Sequence, residues 1–251
     1  MLGSGLGGLA DEIEDGLDIP YCDIPGYPQP SVEGHVGNLR LGFWAGQPVM
    51  CLQGRVHLYE GEGTTALKVL VRSLKKLGVE LLFLTNACGS LREDVGPGEL
   101  VAVTDHVNFM GTNPLVGRHE KEYGERFVGL ENCWDKDFRV SLLKAAESSG
   151  VELHQGVFAG WLGPVFETPA EIRMMRILGC DTVGMSMIPE NLVARQCGLK
   201  AVGVSVVTNF ASGVSPEPIR HDLVLAEAAK AQVRLSSLIS QFLRDLPGRT
   251  T

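Results

Sequence analysis

No stretch of this 251-residue chain approaches the roughly 20 apolar residues needed to cross a bilayer, and nothing like a secretory leader precedes its first glycine-rich motif. A cytoplasmic protein without a membrane partner is expected. Positive charge is scarce. The chain has 22 Lys and Arg against 30 Asp and Glu, a net charge of −8 and a pI near 5.3. That balance leaves no basic face for sequence-independent nucleic-acid binding. An anionic substrate would have to be held by a local site, not by the overall field. The six cysteines, at 22, 51, 88, 133, 180 and 197, include no C-x-x-C pair, so neither a zinc site nor a redox dithiol is indicated. They read as reduced, small apolar residues. No metal and no cofactor is expected. Internal repeats and linkers are absent too, which points to one domain over residues 1–251.

What is present is an ordinary core and an excess of turns. The hydrophobic share is 44%, and 31 aperiodic glycines mark many tight connections in an α/β chain. The organising stretch is Asp181–Glu190, D-T-V-G-M-S-M-I-P-E. Asp181–Val183 reads as the end of a buried strand, and Pro189 fits the first residue of a helix, where its missing N–H costs nothing. Gly184 allows close approach to the backbone, and Ser186 adds a hydroxyl near a helix start. The stretch suits either a small-anion cradle or an ordinary strand-to-helix turn.

From the N-terminus, Gly3, Gly5 and Gly8 fit G-x-G-x-x-G, with Asp23 near the distance of a ribose contact. That dinucleotide fingerprint follows a strand. Here only Met1 and Leu2 precede Gly3, and Pro20–Pro30 reads as a proline-rich loop. A phosphate loop using Ser4 and backbone N–H groups fits better. Asp11–Glu14 reads as a short helix. Asn38–Trp44 and Pro48–Gln53 read as strands joined at Ala45–Gly46. In the Gly54–Gly61 segment, an extended backbone would put Arg55, His57 and Tyr59 on one face, as phosphate and sugar ligands or as a solvated face.

Thr65–Leu77 has helical periodicity with Gly78 closing it, and Val79–Leu84 is a buried strand ending in T-N-A-C-G-S. Glu99–Val103 is a strand, Phe109–Val128 a long loop, Asp135–Ser148 a helix and Gly156–Ala159 a strand. Thr168, Pro169 and Glu171 form a capping box that opens the helix Pro169–Leu178. Glu167, just outside it beside Phe166, is either a solvated charge or an acceptor for a stacked heterocycle. Pro189–Cys197 is a helix, Lys200–Val207 a strand leading to Thr208-Asn209-Phe210, and Ala211–Pro218 a loop. His221 precedes the last helix, Asp222–Leu243.

Taken together, G-S-G-L-G at Gly3–Gly7, G-H-V-G-N-L at Gly34–Leu39, G-R-V-H-L-Y-E-G at Gly54–Gly61, T-N-A-C-G at Thr85–Gly89, G-P-V-F-E-T at Gly163–Thr168, V-G-M-S-M-I-P-E at Val183–Glu190 and V-T-N-F at Val207–Phe210 resemble the trimeric, low-molecular-mass purine nucleoside phosphorylases. The nearest branch is the bacterial inosine, guanosine and xanthosine one. The resemblance implies a mixed, partly barrel-like sheet flanked by helices, and a homotrimer. It implies phosphorolysis of 6-oxopurine nucleosides to free base and ribose 1-phosphate, with inorganic phosphate as co-substrate. It assigns phosphate to Ser4, Arg55, His57, the Ala87 backbone and Ser186. Ribose falls to Tyr59, Met185 and His221, with Phe127 reaching a neighbouring subunit's ribose.

The base falls to Phe166, Glu167, Val183, Gly184 and Asn209. His35 and Glu60 are motif positions on the phosphate side. Asn209 and Glu167, with His57, are the expected catalytic groups. The chain departs from the family pattern at Cys88, Met187-Ile188 and Gln196, with Trp161 and Phe210 expected to reshape the base pocket. The helix and strand that usually precede the Gly3 loop are expected to be missing. Alternatives are a methylthioadenosine phosphorylase, a catalytically weak nucleoside-binding homologue and, remotely, a dinucleotide oxidoreductase.

Overall fold

The computed structural model describes residues 1–247; the last residues of the expected domain, 248–251, lie outside them. Among the described residues eight strands form two sheets. β1 (Glu14–Pro20), β2 (Asn38–Trp44) and β3 (Gln47–Gln53) make a three-stranded antiparallel sheet. The others are β4 (Leu81–Ser90), β5 (Leu100–Asn108), β6 (Leu153–Gly160), β7 (Thr182–Gly184) and β8 (Lys200–Phe210). They close into a barrel in the order β4-β7-β6-β5-β8. The barrel is mixed: β8 runs parallel to β4 and antiparallel to β5. Among the described residues five helices flank it, α1 (Gly63–Lys76), α2 (Lys136–Ser149), α3 (Pro169–Ile177), α4 (Ile188–Gln196) and α5 (His221–Asp245). The expected mixed, partly barrel-like sheet with flanking helices is therefore the one observed.

Hydrophobic patterning explains the packing. In α1, Leu67, Leu70, Val71 and Leu74 recur at helical spacing and are buried. Gly78 follows with φ +84°, the left-handed geometry that ends a helix without a Cβ penalty. Truncating Leu70 to Ala would cost about 2–5 kcal/mol. Helix α4 is buried on nearly every side, eight of its nine residues being inaccessible. Its burial packs the end of the Asp181–Glu190 stretch into the core. The long α5 closes the other side with Leu235, Leu238, Ile239 and Phe242.

Several local expectations are corrected. The short helix falls at Gly7–Glu12, as a 3-10 turn, and is followed by β1. β1 is exposed except at Ile19 and reads as polar, which hid it. β4 continues through Thr85–Ser90 instead of ending before it, because β8 pairs with it along the whole length. Pro189 occupies the second position of α4, after Ile188, and His221 opens α5. The segment after Gly54 is not extended through Tyr59. A 3-10 turn, Leu58–Glu60, starts directly after His57, whose backbone N–H donates to the Glu60 side chain. His57 and Tyr59 consequently stack instead of sharing a strand face, with ring centroids 4.8 Å apart. The six cysteines are all free.

Candidate active site

A cleft of about 100 Å3 opens where β4, β7 and β8 end. Two loops and the start of α5 complete its wall. Its lining includes twelve of the expected site residues: Ser4, His57, Tyr59, Ala87, Phe166, Glu167, Val183, Gly184, Met185, Ser186, Asn209 and His221. Arg55 and Phe127 do not line it. Nor do Trp161, Gln196 and Phe210; Gln196 instead accepts a hydrogen bond from Arg72.

One end of the cleft is a network of hydrogen bonds. Met1 and Leu2 run between the two sheets, with Leu2 N–H donating to Leu52 O at 2.9 Å and Thr85 N–H to Met1 O at 3.1 Å. Gly3 lies so close to β4 that a Cβ would sit 2.6 Å from the Asn86 Cα, so only glycine brings Ser4 to this position. Ser4 Oγ lies 2.9 Å from His35 Nε2, and Arg55 N–H donates to His35 Nδ1 at 3.3 Å. Because Nδ1 accepts, the ring proton is on Nε2, which donates to Ser4 Oγ. The Ser4 hydroxyl hydrogen is then free to donate into the cleft. Burial, and after it the neighbouring His57, hold the His35 pKa down at about 3, so this ring is neutral at physiological pH.

His57 faces a carboxylate instead. Its Nδ1 is 2.9 Å from Glu60 Oε1, and its backbone N–H donates to the same oxygen at 2.7 Å. Glu60 Oε2 accepts from the Ser31 N–H and hydroxyl, each at 2.6 Å. Burial alone would raise the Glu60 carboxyl. The hydrogen bonds from His57 and Ser31 outweigh it and hold the pKa at about 2. Glu60 is therefore an acceptor only, and His57 carries its proton on Nδ1.

The structure places Arg55 behind this network. Its side chain is fully buried, one terminal nitrogen donating to Thr85 O at 2.5 Å and Met1 O at 3.2 Å. The other terminal nitrogen lies 3.3 Å from Glu190 Oε1 of α4, itself buried. The guanidinium thus ties the Ser4 loop, β4 and α4 together. Burial pushes its pKa down, and Glu190 opposes the shift. Ser186, 6% exposed, stands at the β7–α4 corner, where Met187 has φ +68°. A non-glycine residue held there costs on the order of 1–3 kcal/mol, a strain that clusters at ligand sites.

The other end of the cleft is loosely paired. The β4–β8 register slips between Cys88/Val207 and Gly89/Asn209. This bulge at Thr208 turns Asn209 toward the cleft. Asn209 Nδ2 donates to Phe210 O at 2.9 Å and its Oδ1 accepts from Thr208 Oγ1 at 3.0 Å. One amide hydrogen remains free. Glu167 is 5% exposed, which rules out a solvated charge. Burial pushes its carboxyl up, only partly offset by its own backbone N–H. Phe166 beside it keeps an exposed ring face, being 43% accessible.

Sequence reasoning passed over Asn86. It lines the cleft, is 2% exposed, and neither of its amide atoms has a protein partner. Gly184 packs against it so tightly that a Cβ would meet Asn86 Nδ2 at 2.8 Å. The available signal was a polar residue inside the apolar run of β4, in T-N-A-C-G.

The chain is similar to known proteins over nearly its whole length. The family model of the phosphorylase superfamily matches residues 1–244. The chain is 43% identical to purine nucleoside phosphorylase 1 of Bacillus subtilis, over 95% of this chain and 88% of that protein. It is 37% identical to the purine nucleoside phosphorylase of Rattus norvegicus, over 99% of this chain and 89% of that protein. The fold superposes on the crystal structure of Schistosoma mansoni purine nucleoside phosphorylase in complex with inosine with a TM-score of 0.92. The two are 40% identical, and 98% of this chain and 89% of that one are covered. The chain belongs to the phosphorylase superfamily, and its place there is among the purine nucleoside phosphorylases.

Proposed function

We propose that the chain catalyses phosphorolysis of 6-oxopurine nucleosides, yielding the free purine and ribose 1-phosphate. The observation that carries this reading is the polarity of this cleft. Hydroxyl, imidazole and backbone donors gather at one end (Ser4, Ser186, His57, Ala87), and a carboxyl–amide pair stands at the other (Glu167, Asn209). Relatives support it: the Schistosoma protein has been crystallised with inosine and with guanosine.

Inorganic phosphate is the co-substrate and the nucleophile. The Ser4 and Ser186 hydroxyls, the Ala87 N–H and His57 hold it under the anomeric carbon, which supplies proximity. Arg55 supports that cradle from behind, through the Thr85 and Met1 carbonyls. Tyr59, Met185 and His221 surround the ribose. As the glycosidic bond breaks, the phosphate stabilises the positive charge growing on the sugar. The free Asn209 hydrogen donates to N7 or O6 as negative charge grows on the purine. Ionised Glu167 accepts N1–H of a 6-oxopurine, and Phe166 covers the ring. Adenine has no N1–H, so it leaves Glu167 unpaired, a cost of about 1–3 kcal/mol. That preference is one of degree, since the Schistosoma relative has also been crystallised with adenosine.

Phe127, 90% exposed on the long loop, fits a homotrimer in which it covers a neighbour's ribose site. Among the described residues no helix is long and apolar enough to cross a membrane, and a cytoplasmic location fits the reading. The test is purine release from inosine, guanosine, xanthosine and adenosine, with and without phosphate. Rapid release from the 6-oxopurine nucleosides only when phosphate is present supports the proposal. Tight nucleoside binding without turnover would identify a binding protein instead.

A further inference from the structure

A second concavity lies outside the purine cleft. It is a groove of about 610 Å3 between α1 and the 116–123 segment of the long loop, within the usual size of small-molecule sites, roughly 300–1,000 Å3. Four cations line it, Lys68, Arg72, Lys76 and Arg118, against one carboxylate, Glu120. On a chain of net charge −8 this is a local reversal of sign. Lys68, Arg72 and Lys76 recur at every fourth position of α1, a spacing that destabilises a helix when the charges are alike.

The internal contacts do not neutralise the row. Glu120 is committed to Arg72 in an ion pair. Arg72 also donates to Gln196 Oε1 at 3.0 Å, and the Tyr123 ring lies 4.0 Å from its guanidinium carbon and 5.2 Å from Lys76 Nζ. Even so, Arg72 is only 8% exposed and its Nε has no hydrogen-bond partner. Lys68 and Arg118 have no ion pair among the described residues. A buried donor without a partner is costly, and an anionic acceptor in the groove would supply one.

We propose that this groove is an oligophosphate site, taking the row of phosphoryl groups found in a nucleoside triphosphate or a short inorganic polyphosphate. At 1.5 Å of rise per residue, Lys68 to Lys76 spans about 12 Å. That length matches several linked phosphoryl groups and exceeds a single phosphate. The Thr64 and Thr65 side chains in the same lining add hydroxyl donors. An extended nucleic acid is disfavoured, because beyond the groove it would meet an acidic chain.

The test is calorimetric titration of the full chain with tripolyphosphate, ATP and inorganic phosphate, at low and high salt. Tripolyphosphate should bind about tenfold more tightly than inorganic phosphate and weaken as salt rises from about 50 to about 300 mM. Lys68→Gln/Lys76→Gln/Arg118→Gln should lose that binding while melting temperature and inosine phosphorolysis stay unchanged. Arg118→Gln alone, on an exposed loop, should lose part of it. Tighter binding of ATP means the nucleoside also engages the groove; equal binding means the phosphate chain alone does. Either supports the site. No tripolyphosphate binding near about 1 mM, or unchanged binding in the triple variant, overturns it. A triple variant that changes oligomeric state and not ligand binding also overturns it, by showing that a second copy fills the groove.

Discussion

The two ends of the purine cleft are built on opposite principles. At the phosphate end a chain of polar groups is already linked: Ser4 with His35, His35 with the Arg55 backbone, His57 with Glu60, and Glu60 with Ser31. At the base end Glu167 is buried without such support, and Asn209 is tied only to its immediate neighbours. The first arrangement is preorganised, so the anion meets donors that need not reorient. The second leaves groups whose hydrogen-bonding capacity only a purine completes, which makes recognition there a difference between paired and unpaired states. Changes at the first end should therefore register in stability, and changes at the second in turnover and selectivity.

The largest effect is expected at the buried pair beneath the phosphate end. Arg55→Met leaves Glu190 charged and unpaired, and should lower unfolding free energy by about 3–5 kcal/mol, read by urea denaturation. Arg55→Met/Glu190→Leu should recover most of that loss. If the double variant also regains the wild-type phosphate KM, Arg55 acts only from behind. A phosphate KM that stays raised would place the guanidinium on the anion and blur the contrast between the two ends. Next comes Asn209→Ala, expected to lower kcat for inosine by about 10²–10³ with little change in phosphate KM. Equal losses in both would remove Asn209 from the departing base.

How far the sequence could anticipate this contrast depends on what each feature rests on. Motif residues whose chemistry is local were legible: the Thr168–Glu171 capping box is formed as expected, with Glu171 N–H donating to Thr168 Oγ1 at 3.3 Å. Ser4, Ser186 and Glu167, expected at the site from the family resemblance, do line the cleft. Features created by long-range pairing were not legible. The extension of β4 to Ser90 depends on β8, more than a hundred residues away in sequence. The direction of Arg55 depends on Glu190, which nothing in G-R-V-H-L-Y-E-G reveals. Asn86 was missed because its role arises only where Gly184 packs against it.

A smaller effect is expected at Glu167. Its folded pKa is raised, so in the empty protein its contribution to stability is present below the ordinary value of 4.5 and is lost as pH rises through the raised one. The base needs the opposite state, the carboxylate. Inosine KM should therefore rise as pH falls through that raised value, whereas Glu167→Gln should flatten the profile and cut the inosine-over-adenosine preference by about 1–3 kcal/mol. An unchanged preference ratio would take Glu167 out of the base site.

The smallest effect belongs to Glu60, and it has the reverse sign. Its folded pKa is lowered to about 2, so the stabilisation from His57 and Ser31 is complete above the ordinary value of 4.5 and fades as pH falls toward 2. Melting temperature should thus decline with acid over that window, and the Glu60-dependent part should vanish in Glu60→Gln. At neutral pH the same variant keeps a hydrogen-bonding side chain but loses the charge that orients His57. Phosphate KM should then rise while inosine KM stays close to wild type. If inosine KM moved equally, the network at the phosphate end would extend to the base, and the division of the cleft into a prepaired half and an open half would not hold.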